Sequence, residues 1–123
     1  MGFIEIVDEE ERFELRMEDT VFQLRRLSAE VYNDIVKRHT KRSGRDRQGR
    51  WIEERNEEEI DRALLDYVIV GWKGVVHPVS KKEIECSRDM KMRLPGSVRL
   101  EILEATDARN IGGKERAEDE AKN

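Results

Sequence analysis

The chain has 123 residues, 42% charged and 37% hydrophobic, and its 24 Lys and Arg against 28 Asp and Glu leave a net charge of −4. That length fits one domain with a modest core, and no apolar run approaches the roughly 20 residues a membrane helix needs. The charge balance does not call for nucleic acid, which shows as a basic domain, and the single cysteine, Cys86, excludes an internal disulfide and suits a reducing cytoplasm.

The opening "MGFIEIVDEEE" lacks the basic start and long apolar segment of a signal peptide, and Ile6 stands where a myristoylation pattern needs Ser or Thr. A soluble intracellular protein is expected. "FIEIV" at 3–7 has the composition of an edge strand. Phe13, Leu15 and Met17 then alternate with polar residues, Phe22 and Leu24 continue the pattern after Glu18 and Asp19, and the short break predicts a β-hairpin.

Ser28 is placed to cap a helix over 29–40, with Glu30 in its first turn and Leu27 and Tyr32 spaced as a hydrophobic staple. Val31, Tyr32, Ile35, Val36 and His39 give that helix one face. Gly44 and Gly49 interrupt the next stretch, so 41–55 reads as a long, mobile basic loop. Asn56 and the acids Glu57 to Glu59 start a second helix, striped by Ile60, Ala63, Leu64, Tyr67 and Val68. From Leu64 to Trp72 apolar residues surround the axis, which predicts a helix end buried on most sides, with Gly71 as its exit and Gly74 as a tight bend.

Ser80 and Glu83 match a capping box, predicting a helix over 81–93 with Ile84, Cys86, Met90 and Leu94 on its stripe. Pro95 and Gly96 break it, and Val98, Ile102, Leu103 and Ala105 begin the last helix. The elements add up to an α+β, predominantly helical domain: an N-terminal β-hairpin followed by a bundle of about four helices. The domain spans 1–111, and the polar tail 112–123 is expected to be disordered.

Chemistry-bearing groups are sparse. His39 and His77 are far apart, and neither forms a ligand pair with Cys86. No nucleophile, base and orienting group assemble, so no catalytic residue, no metal, no cofactor and no enzyme is expected. "GWKGVV" lacks the spacing of a phosphate loop. The basic segment offers contact instead: Arg42, Arg45, Arg47 and Arg50 run up to Trp51, a pattern that holds a nucleic-acid strand by phosphate contacts and stacking. The plainer reading is a solvated loop paired with the acids from Glu53 to Asp61.

The run Asp66-Tyr67-Val68-Ile69-Val70-Gly71-Trp72-Lys73-Gly74-Val75, then Ser80-Lys81-Lys82-Glu83, then Leu94-Pro95 with Val98 and Ile102, resembles the tail assembly chaperones of long-tailed bacteriophages and prophages. The likeness covers roughly 20–111; the arginine-rich loop does not map onto the family. It implies a mainly helical, non-enzymatic protein of the bacterial host cytoplasm that keeps the tape measure protein soluble during virion assembly. Implied partners are the tape measure protein, then the tail tube protein and further copies of the chain; the composition calls for neither membrane nor nucleic acid. Tyr67, Trp72, Val75, Met90 and Leu94 are the expected client or oligomer contacts. The rival reading is a nucleic-acid-binding accessory protein that uses the Arg-rich loop at 41–51.

Overall fold

A computed structural model describes residues 2–8 and 10–106. The tail at 112–123 lies outside the described residues. Among those described, five strands form two antiparallel sheets with four helices around them, so the fold is α+β but not a helical bundle.

The first hairpin forms where alternation predicts it. β1 (Arg12–Met17) and β2 (Thr20–Arg25) pair with Leu15 opposite Phe22 and Phe13 opposite Leu24. Directly opposed residues share a face, so these four side chains lie on one side of the sheet. Phe22 and Leu24 are buried there. The edge strand expected at 3–7 is absent: residues 2–8 have no regular structure, and Phe3, Ile4 and Ile6 are exposed.

α1 (Ala29–Arg38) starts at Ser28, whose Oγ accepts from Val31 N at 3.2 Å. α2 (Glu57–Val68) starts at Asn56, whose Oδ1 accepts from Glu59 N at 3.2 Å. Both caps occupy free donors of a first turn, as the sequence predicts. Between the helices, however, stands a second hairpin rather than a loop: β3 (Thr40–Arg45) pairs with β4 (Trp51–Arg55). Its turn is built by Asp46, whose Oδ1 accepts from Gln48 N and Arg50 N at 2.9 Å each, and by Gly49 at φ +78°. The glycines that suggest a loop are the bulge and turn residues of a ribbon.

The largest departure is at the end of α2. The helix stops at Val68, and β5 (Ile69–Lys73) follows with no intervening loop, pairing antiparallel to β2. Apolar residues on every side of a helix axis look the same in sequence as a short helix end followed by a buried strand. The β-branched run Val68, Ile69 and Val70 favours the strand, and the open edge of β2 supplies its hydrogen bonds. The sheet order is β1-β2-β5.

No helix forms over 81–87. The backbone there is held in a turn: His77 N donates to Lys82 O at 2.9 Å, Ile84 N to Val75 O at 2.8 Å, and Lys81 takes φ +60°. Ile84 and Cys86 are half-buried between exposed neighbours, a period of two that outweighs the capping box. Only α3 (Arg88–Lys91) is helical, capped by Ser87 instead of Ser80. α4 (Gly96–Ala105) follows.

α2 packs on α1, α4, β2 and β5, so the core lies between sheet and helices. Leu24, Leu27, Val68 and Ile102 are wholly inaccessible to solvent. Each such side chain contributes about 2 kcal/mol by leaving water. Lys91, nearly buried, ties α3 to α2 by donating to Asp66 Oδ1 and Asp66 O, both at 3.1 Å.

Candidate functional site

Trp72 stands opposite Phe22 across the β2–β5 ladder, and their rings meet edge to face with centroids 6.2 Å apart. Its Nε1 donates to Ile84 O at 2.8 Å, which pins the irregular 75–87 segment to the sheet. The indole is therefore a half-buried structural element. Gly74 follows at φ +85°, its carbonyl accepting from Thr20 Oγ1 at 2.9 Å. The chain leaves β5 by passing against the turn of the first hairpin.

That passage opens an apolar groove of about 570 Å³. Met17 and Phe22 of the sheet, Val75 and Val76 beyond Gly74, and Leu94, Pro95 and Val98 at the start of α4 line it; Arg16, Glu18 and Glu101 stand among them. Such a cleft, apolar with a few charged groups, is the usual form of a binding surface.

Of the five expected contacts, Val75 and Leu94 line this groove, and Trp72 supports it from behind Phe22. Tyr67 does not. Its ring lies beneath the Arg25 guanidinium, 3.7 Å from centroid to Cζ, and its carbonyl accepts from Arg25 Nε. Met90 is half-buried on α3 and is not a groove residue. Sequence reasoning misses Met17, Phe22 and Val98 as partners of Val75. Reading 69–73 as a strand would have found Met17 and Phe22, because pairing with β2 brings Gly74 to the hairpin turn; Val98 joins them from α4.

The basic residues are placed differently. Arg45 and Arg42 approach the Trp51 ring, with Cζ 4.6 and 5.4 Å from its centroid, and Arg42 Nε lies 3.8 Å from Glu53 Oε1. Arg47 belongs to the turn and Arg50 follows it. Trp51 remains 48% exposed, so the ribbon does not tuck it onto the body.

His39 ends α1, and His77 Nδ1 accepts from Val79 N and Ser80 N in the turn after Val76. Among the described residues no group of three or more His, Cys, Asp or Glu is placed to hold a metal ion. No helix among them is long and apolar enough to cross a membrane.

Burial pushes the Cys86 thiol above its ordinary pKa of 9.0; nearby Lys91 opposes this and Asp66 adds to it. A raised folded-state value favours the neutral thiol, so this contribution to stability is complete below about pH 9 and is lost as pH rises through the raised value. The thiolate is the reactive form. Alkylation by iodoacetamide at pH 8 is therefore expected to run several-fold slower in the native chain than in urea; equal rates would contradict the burial.

No protein-family model, no curated protein and no solved structure matches this chain. The likeness to tail assembly chaperones thus rests on the residues that carry it.

Proposed function

We propose that the chain is a phage or prophage tail assembly chaperone that shields an apolar helix of the tape measure protein in the groove beside Gly74. The observation that carries this reading is the groove itself. It gathers Val75, Leu94 and Val98, drawn from two separate stretches of the resemblance, onto one surface with charged residues around it. A narrow apolar strip on a chain that is 42% charged covers a sticky helix while the complex stays soluble. Contacts of this size are weak singly and gain avidity along a long client, which permits displacement when tail tube subunits polymerise.

The mainly helical fold that the resemblance implies is not the fold of this chain, so the reading stands on the surface and not on the architecture. Its test is co-expression with a phage tape measure protein. The client is expected in the soluble fraction with the native chain. It is expected to be lost with Val76→Asp, which puts a carboxylate at a groove position already 41% exposed. A client equally soluble with and without the chain overturns the proposal.

A further inference from the structure

We infer that the β3–β4 ribbon binds single-stranded nucleic acid, with a base stacked on Trp51 and phosphates held by Arg42, Arg45, Arg47 and Arg50. The overall charge of −4 conceals how the charge is divided. The ribbon, Thr40–Arg55, carries six cations (Lys41, Arg42, Arg45, Arg47, Arg50, Arg55) and three anions (Asp46, Glu53, Glu54), a net +3, which leaves −7 for the rest of the chain; Glu53 and Glu54 stand opposite Arg42 and Lys41. The Asp46 carboxylate is already occupied as the acceptor of Gln48 N and Arg50 N in the turn. Among the described residues, Arg45, Arg47 and Arg50 have no carboxylate within ion-pair distance.

The ribbon adds nothing to the core. From Lys41 to Arg55 every residue except Gly44 is exposed, including Trp51 and Ile52. A tryptophan placed for stability would be covered by apolar side chains; the ring contacts of this one are guanidinium groups. Strand alternation by itself would put Arg42 and Arg45, three positions apart, on opposite faces. The ladder shifts register between them, at Gly44 with φ +130°, and the shift brings both to the same indole. Bulges of this kind re-aim side chains near binding sites.

A single strand is the polyanion that uses every part of this arrangement. Its phosphates meet the arginines and an unpaired base offers a flat face to the indole. A duplex would engage the arginines but leave the tryptophan idle, and an acidic peptide has no planar group to stack.

The test is fluorescence anisotropy with the full chain and a mixed-sequence oligonucleotide of about 15 nucleotides. Four phosphate contacts predict a slope of log affinity against log salt of about −3, or roughly a 50-fold loss between 50 and 200 mM salt. Trp51→Ala is expected to weaken binding roughly tenfold, Trp51→Phe to keep most of it, and Arg47→Gln to reduce the salt slope by about one phosphate contact. Thermal melts check that each variant stays folded. Absence of binding at low salt overturns the inference. So does equal affinity for duplex or for polyglutamate, or a Trp51→Ala variant that binds as well as the native chain.

Discussion

Gly74→Ala should lower the unfolding free energy by about 3 kcal/mol, while Gly71→Ala, immediately before Trp72, should change it by less than about 0.5 kcal/mol. The two glycines flank one tryptophan but face different surroundings. At Gly74 the backbone is left-handed, φ +85°, which strains any residue with a side chain by about 1–2 kcal/mol. A Cβ there would also drive into the Asp19 carbonyl oxygen and lie 3.2 Å from both Asp19 C and Thr20 Cα, so the hairpin turn must move. At Gly71 the backbone is ordinary strand, and a Cβ would meet only the flexible Gln23 Oε1, at 3.6 Å. Urea denaturation of both variants checks the pair. For a domain near 100 residues the Gly74 change corresponds to a fall in Tm of roughly 10–20 °C. Equal effects at the two sites would mean that the chain does not cross the hairpin turn as described.

Ile102→Ala should cost about 3 kcal/mol and Leu100→Ala well under 1 kcal/mol. Both side chains are four-carbon aliphatics on α4, two residues apart. Ile102 is wholly inaccessible to solvent, whereas Leu100 is 42% exposed. Removing the first leaves a cavity where α4 meets α2; removing the second exposes little that was hidden. Because domains of this size are stable by only about 5–15 kcal/mol, the Ile102 variant should show an early, shallow transition in a thermal scan. Similar midpoints for both variants would show that α4 is not docked on the core.

Local signals in this sequence are read correctly where one element decides its own structure. Ser28 and Asn56 cap the helices they precede, and the Phe13, Leu15, Phe22 and Leu24 alternation marks the first hairpin. Errors arise where distant partners decide. Ile69 to Lys73 is a strand because β2 lies nearly fifty residues earlier with an open edge, and nothing local to 69–73 announces that edge. Ser80 and Glu83 have the chemistry of a cap, but the Ile84 carbonyl is taken by Trp72 and the Ile84 amide by the Val75 carbonyl, so the segment is held in a turn. The groove was half legible for the same reason. Val75 and Leu94 are visible as apolar residues near the motif, while Met17 and Phe22 join them only through strand pairing. In the ribbon, the cluster of arginines around Trp51 is plain in the sequence; that a bulge sets two of them on one indole is not.

The bond from Thr20 to Gly74 spans 54 residues and has a consequence for how the protein is made. The hairpin of β1 and β2 leaves the ribosome early, but its inner edge has no partner until β5 has been synthesised. At 5–20 residues per second that interval lasts on the order of seconds. During it Phe22 and Leu24 sit beside an unpaired row of backbone donors and acceptors, a state prone to pairing with neighbouring nascent chains. A polysome translating this message therefore carries an adhesive sheet edge before the strand that silences it, and fast elongation from β2 to β5 would favour soluble yield.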